Sequence, residues 1–166
     1  KSIIMEKKSI IEQLLKQGSK IVKNVIIKNV TITPTENYVR VGLTLDRPIS
    51  GYTADADGNY TLGETKVIFV SLFSIAANLR DNEEASFAVN HMIKKPTAAE
   101  VLLNGAIIDI IQESIKAGNE YHNPWSEGDT VSTFDHDTLI NHVVNIRLTK
   151  RSVALLDNLA ASMLGI

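Results

Sequence analysis

From Val22 to Thr33 β-branched residues dominate, and from Tyr38 to Asp46 the chain alternates without a break. Val39, Val41, Leu43 and Leu45 fall on one face, and Arg40, Gly42, Thr44 and Asp46 on the other. Period-two alternation suits a pleated strand, because successive side chains of a strand point to opposite faces. Two such runs joined by Pro34 to Asn37 predict an antiparallel pair, one face on a core and the other toward solvent or a partner. Val67 to Ile75 is apolar on both faces and predicts a central strand covered on both sides. Between them, Asp55-Ala56-Asp57-Gly58-Asn59-Tyr60 resembles the start of a calcium loop. Its glycine falls at the fourth position rather than the sixth, and Lys66 stands where the twelfth position needs a bidentate carboxylate. Asp-Gly and Gly-Asn steps supply positive φ angles, so a hairpin tip is expected there.

Helical segments frame and interrupt these strands. Ser9-Ile10-Ile11-Glu12 has capping-box spacing and Gly18 can end a helix, which predicts a helix from Ile10 to Gln17. Asn82 to Lys95 is expected to be helical, ended by Pro96. Thr97-Ala98-Ala99-Glu100 restarts a helix. That helix stops either at Gly105 or at Gly118. The earlier stop is favoured because five isoleucines between Ile107 and Ile115 suit a pleated surface. Val144, Ile146 and Leu148 predict a closing strand. Val153, Leu156, Leu159, Ala160 and Met163 recur at helical spacing. Ala117 to Thr133 reads as a long loop that is either functional or a clamp on neighbouring structure.

The fold class that follows is α+β, a single β-rich domain over 166 residues that is mostly antiparallel sheet or a small OB-like barrel. An N-terminal helical arm takes 1–18 and a sheet or barrel core with one or two inserted helices takes 19–150. A C-terminal amphipathic helix takes 151–166. A net charge of −2 argues against holding duplex nucleic acid through many phosphates but leaves room for a local basic groove. With no cysteine there is neither a disulfide framework nor a thiolate, which suits a reducing cytoplasm or a virus particle. No apolar run reaches membrane-spanning length, and Lys1 to Ile11 is too short and too charged for a secretion signal. No membrane partner and no cofactor are expected.

Three of the four histidines and the one tryptophan gather between Tyr121 and His142. Asp135-His136-Asp137 with His142 offers the ligand and acid–base types that zinc, iron or hydrolytic chemistry uses. The spacing is poor for it: on a strand His136 faces away from Asp135 and Asp137, and His142 lies about 20 Å further on. A capping role for Asp135 or Asp137, and a buried polar partner for His142, is the plainer expectation. No Gly-x-Ser-x-Gly and no glycine-rich phosphate loop occur. For a groove that stacks single-stranded bases, the pool is Lys28, Arg40, Tyr38, Tyr52, Tyr60, Phe69, Phe73 and Trp125. For contact with other protein subunits, the candidates are Tyr121, His122, Pro124, Trp125 and Phe134.

Tyr121-His122-Asn123-Pro124-Trp125 and Phe134-Asp135-His136-Asp137-Thr138-Leu139-Ile140-Asn141-His142, preceded by Phe69-Val70-Ser71-Leu72-Phe73-Ser74-Ile75, resemble small proteins of crAss-like tailed bacteriophages. The resemblance covers the second half of the chain and carries no functional motif. It implies a phage setting, in the virion or the host cytoplasm. The favoured expectation is a non-enzymatic assembly protein such as an accessory capsid component, oligomeric or bound to a larger shell. The alternative is an OB-like single-stranded DNA-binding replication protein, and a metal-dependent enzyme ranks last.

Overall fold

A computed structural model describes residues 3–34, 39–79, 97–125 and 131–163. The helix expected over 82–95 and Tyr38 lie outside the described residues. Helix α1 (Ile3–Lys16) starts well before Ser9, because nothing from Ile3 to Lys8 breaks a helix and Ser9 sits inside it rather than capping it. It ends at Gly18, whose φ of +87° lets Ser19 N–H reach Leu14 C=O and Gly18 N–H reach Leu15 C=O, both at 3.1 Å.

Among the described residues seven strands follow: β1 (Lys20–Pro34), β2 (Val39–Ala54), β3 (Tyr60–Ser71), β4 (Ile107–Ile115), β5 (Glu120–His122), β6 (Val131–Thr133) and β7 (Thr138–Arg147). Five of them form an antiparallel sheet in the order β3-β2-β1-β4-β7, and β5 pairs with β6 in a small second sheet. Strand β1 serves two neighbours. Residues Lys20–Ile26 pair with β4, and Ile27–Pro34 pair with β2. The handover is a corner: Asn24 takes a left-handed φ of 58°, and its N–H donates to Asp109 Oδ1 at 2.9 Å. Arg47 ties the same corner by donating to the carbonyls of Lys23 and Asn24 at 2.6 and 2.9 Å.

With helices between the third and fourth strands, this order follows the path of a five-stranded OB barrel. The sheet stays open, however. No hydrogen-bonded ladder joins β3 to β7 among the described residues, so the structure is a curled antiparallel sheet and not a closed barrel.

Val67 to Ile75 departs from expectation. Strand β3 is an edge strand, and it stops at Ser71, whose hydroxyl accepts the Phe73 N–H at 3.1 Å and caps helix α2 (Leu72–Leu79). The apolar run is continuous because Ile68 and Val70 face the core, Val67 and Phe69 take the opposite, exposed face, and Ile75 then begins the buried side of a helix. The centre of the sheet is β1. Helix α3 (Thr97–Leu103) ends at Gly105 with φ +82°, and Ile107–Ile115 is a strand, as the isoleucines predict. Asp55-Ala56-Asp57-Gly58-Asn59 is a hairpin tip: Asp55 Oδ1 accepts the N–H groups of Asp57 and Asn59 at 2.9 Å. The expected long loop carries β5 and β6 as an arm inserted between β4 and β7. The last helix, α4 (Lys150–Met163), is capped by Thr149, whose hydroxyl accepts the Ser152 N–H at 2.9 Å.

Two cores result. The main one joins Val25, Ile27, Leu43, Ile108 and Ile110 of the sheet to Ile75 and Leu79 of α2 and to Leu102 and Leu103 of α3. The second joins Leu14 of α1 to Ile111 and Val144, with Trp125 of the arm packed against them.

Candidate functional site

The open side of the sheet holds a groove of about 610 Å³. One wall is β2 and β3, with Arg40, Tyr52, Val67 and Phe69. The other is β7 and the arm, with Tyr121, Trp125, Phe134 and His142.

The β2–β3 wall is exposed. Phe69 is 50% exposed although it belongs to a strand. Its ring lies across Gly42 of the neighbouring strand, where a Cβ would meet it at 3.2 Å, so the glycine makes room for the ring. The Arg40 guanidinium carbon stands 3.6 Å from the Phe69 ring centroid. This flat cation on an aromatic offers a surface on which a planar base can stack and a positive charge beside it. Tyr60 and Leu62 near the hairpin tip are also exposed, and Tyr60 stacks on His136 with centroids 3.7 Å apart and planes 15° apart. That stack ties the hairpin to the turn before β7.

The wall of the arm is built like an interior. Asn123 Oδ1 accepts the Trp125 N–H at 3.0 Å, which turns the chain at Pro124 and aims the indole inward. Trp125 Nε1 then donates to Nδ1 of His142 at 2.9 Å. His142 is 1% exposed, and its Nε2 lies 2.9 Å from Glu113 Oε1. An indole N–H can only donate, so Nδ1 is the bare nitrogen and Nε2 carries the proton given to Glu113. Tyr121 lies beside this chain, its ring centroid 6.5 Å from that of His142 and 6.2 Å from that of Phe134. Burial, reinforced by the Glu113 carboxylate, pushes the Tyr121 phenol above its ordinary pKa of 10.0, so it stays neutral.

These contacts determine what the site can do. A His–carboxylate pair acts as a general base when its second nitrogen faces a substrate, and here the indole occupies that nitrogen. Asp137 accepts the Ala117 N–H at 2.9 Å and lies 3.7 Å from Lys116, closing the base of the arm as a turn cap. His136 faces Tyr60, with Asp135 3.6 Å away and largely in solvent. Asp135, His136, Asp137 and His142 are therefore not brought together. Among the described residues no three His, Asp or Glu side chains are placed to hold a metal ion.

Of the subunit-contact candidates, Tyr121, Trp125 and Phe134 line the groove. His122 and Pro124 turn instead to a second cavity of about 290 Å³ under α1, beside Ile10 and Leu14. Of the base-stacking pool, Arg40, Tyr52, Phe69 and Trp125 meet at the groove. Lys28 is exposed on β1 and does not line it. Glu113 escaped the sequence reading. The available signal was a carboxylate inside an apolar strand, which requires a buried partner. Compared with known proteins, the chain matches no protein-family model, and no curated protein matches it significantly.

Proposed function

We propose that this protein is non-enzymatic and binds single-stranded DNA along the groove between β3 and β7. The observation that carries the reading is the half-exposed Phe69 lying on Gly42 beneath the Arg40 guanidinium, on the β2–β3 wall of an open OB-like path. Proteins with this strand order take oligonucleotides across strands two and three, with the loop between the last two strands at the flank. Here that loop is the arm carrying Tyr121 and Trp125. Trp125, His142 and Glu113, polar groups gathered at the wall of the arm, are instead bonded to one another. The phage setting implied by the sequence resemblance accommodates such a protein in replication.

A second reading, a particle or assembly component docking on other protein subunits, is favoured by the exposed apolar side chains of Leu62, Val67, Phe69 and Phe73. Titrating labelled single-stranded DNA at two salt concentrations, with mass measured alongside, separates the two. Retention that weakens with salt, and that Phe69→Ala reduces, supports the DNA reading. No retention at low salt, together with concentration-dependent association, overturns it in favour of assembly.

A further inference from the structure

Trp125, His142 and Glu113 do more than fill the wall of the groove. They are joined in series by two hydrogen bonds of 2.9 Å, and the first exists only while Nδ1 of His142 is unprotonated. We propose that this series is a proton-operated latch: protonation of His142 expels the indole and frees the arm that walls the groove. This regulates the site assigned above and rests on that reading.

Once Nδ1 carries a proton, two N–H groups face each other at a distance suited to one donor and one acceptor. Glu113 retains the imidazolium through Nε2, so Trp125 is the partner that leaves. Among the described residues, the Asn123 turn bond to the Trp125 N–H is local to the arm, and few contacts tie the arm to the rest of the fold. On the arm, Asn123 reaches Ser71 of β3 at 3.5 Å, the limit of a hydrogen bond. The remaining hold is packing of Trp125 against Ile111, Val144 and α1.

The groups facing the latch come from several elements. Strand β4 supplies Glu113, β5 supplies the neutral Tyr121, and β2 supplies Arg40 across the groove. Helix α1 places Gln13 and Gln17, both uncharged, along the adjoining cavity, where Glu120 and His122 of the arm also stand. His142 alone accepts the indole proton.

Trp125 is the sole tryptophan, so its emission reports the latch directly. On acidification, the full chain should show a red shift of indole emission while far-ultraviolet circular dichroism stays unchanged. Affinity for labelled single-stranded DNA should fall with the same midpoint. His142→Gln can still accept from the indole and donate to Glu113, so it should hold the emission constant. His122→Gln should leave the wild-type response intact. If His142→Gln does not fold, Trp125→Phe serves instead, and its DNA affinity should lose the pH dependence seen in the wild type. A flat emission profile in folded wild-type protein overturns the latch, as does a response that survives His142→Gln. DNA affinity that rises as His142 charges overturns it as well, because a retained wall would simply have gained a cation. Absence of DNA binding at any pH, with the red shift present, overturns the DNA reading and leaves the latch standing.

Discussion

The two walls of the groove are made on opposite principles. On the side of the arm, Trp125, His142, Glu113 and Asn123 are bonded to one another and packed on a core. On the β2–β3 side, Phe69, Val67 and Leu62 stand in water, and the main support of Phe69 is a glycine beneath it and a guanidinium above it. A wall saturated by internal contacts contributes shape, whereas a wall with unspent apolar surface contributes affinity. Loss of stability should therefore follow substitutions on the first wall, and loss of binding should follow those on the second.

The largest break in this contrast is expected from His142→Ala. It opens a cavity and strands both the indole N–H and the Glu113 carboxylate, costing about 3 kcal/mol in urea unfolding. A cost below about 1 kcal/mol would show that the arm is not anchored there. Next comes Phe69→Ala, expected to weaken single-stranded DNA binding about tenfold, in keeping with roughly 1–3 kcal/mol per stacked base, while the melting temperature barely moves. Equal losses of binding and stability would place Phe69 among core residues. Trp125→Phe keeps an aromatic but removes the donor, and should lower stability by about 1 kcal/mol. The smallest effect concerns acid. Burial alone would raise the Asp109 carboxyl, but the Asn24 N–H, the Asn145 amide and the Arg147 cation outweigh it and hold its pKa below 3.8. With the folded pKa lowered, the stabilisation is in place above the unfolded value and drains away as pH falls through the folded one. The melting temperature of Asp109→Asn should accordingly fall less than that of the wild type at acid pH.

Much of the scaffold was legible before any coordinates. β-Branched residues announced β1, alternation announced β2, the isoleucine run announced β4, and Asp-Gly announced the hairpin, because propensity, period and turn chemistry are local properties. Val67 to Ile75 misled because a single hydroxyl, that of Ser71, converts strand into helix inside an unbroken apolar run. The groove could be read only in pieces. Phe69 and Arg40 were named as a pool, but their stacking depends on Gly42 lying beside Phe69 across the β2–β3 ladder. The partnership of His142 with Glu113 joins positions 29 residues apart on adjacent strands, beyond the reach of any spacing rule.

Strand β1 belongs to both halves of the sheet, and this bears on how the molecule is made. Its later half meets β2, the next strand in the chain, and can zip early. Its earlier half must wait for β4, and the bond from Asn24 to Asp109 spans 85 residues. Closing so distant a contact is the slow event in acquiring such a topology. A nascent chain therefore carries a hairpin with one unsatisfied flank until β4 arrives, and the groove is complete only once the arm and β7 follow.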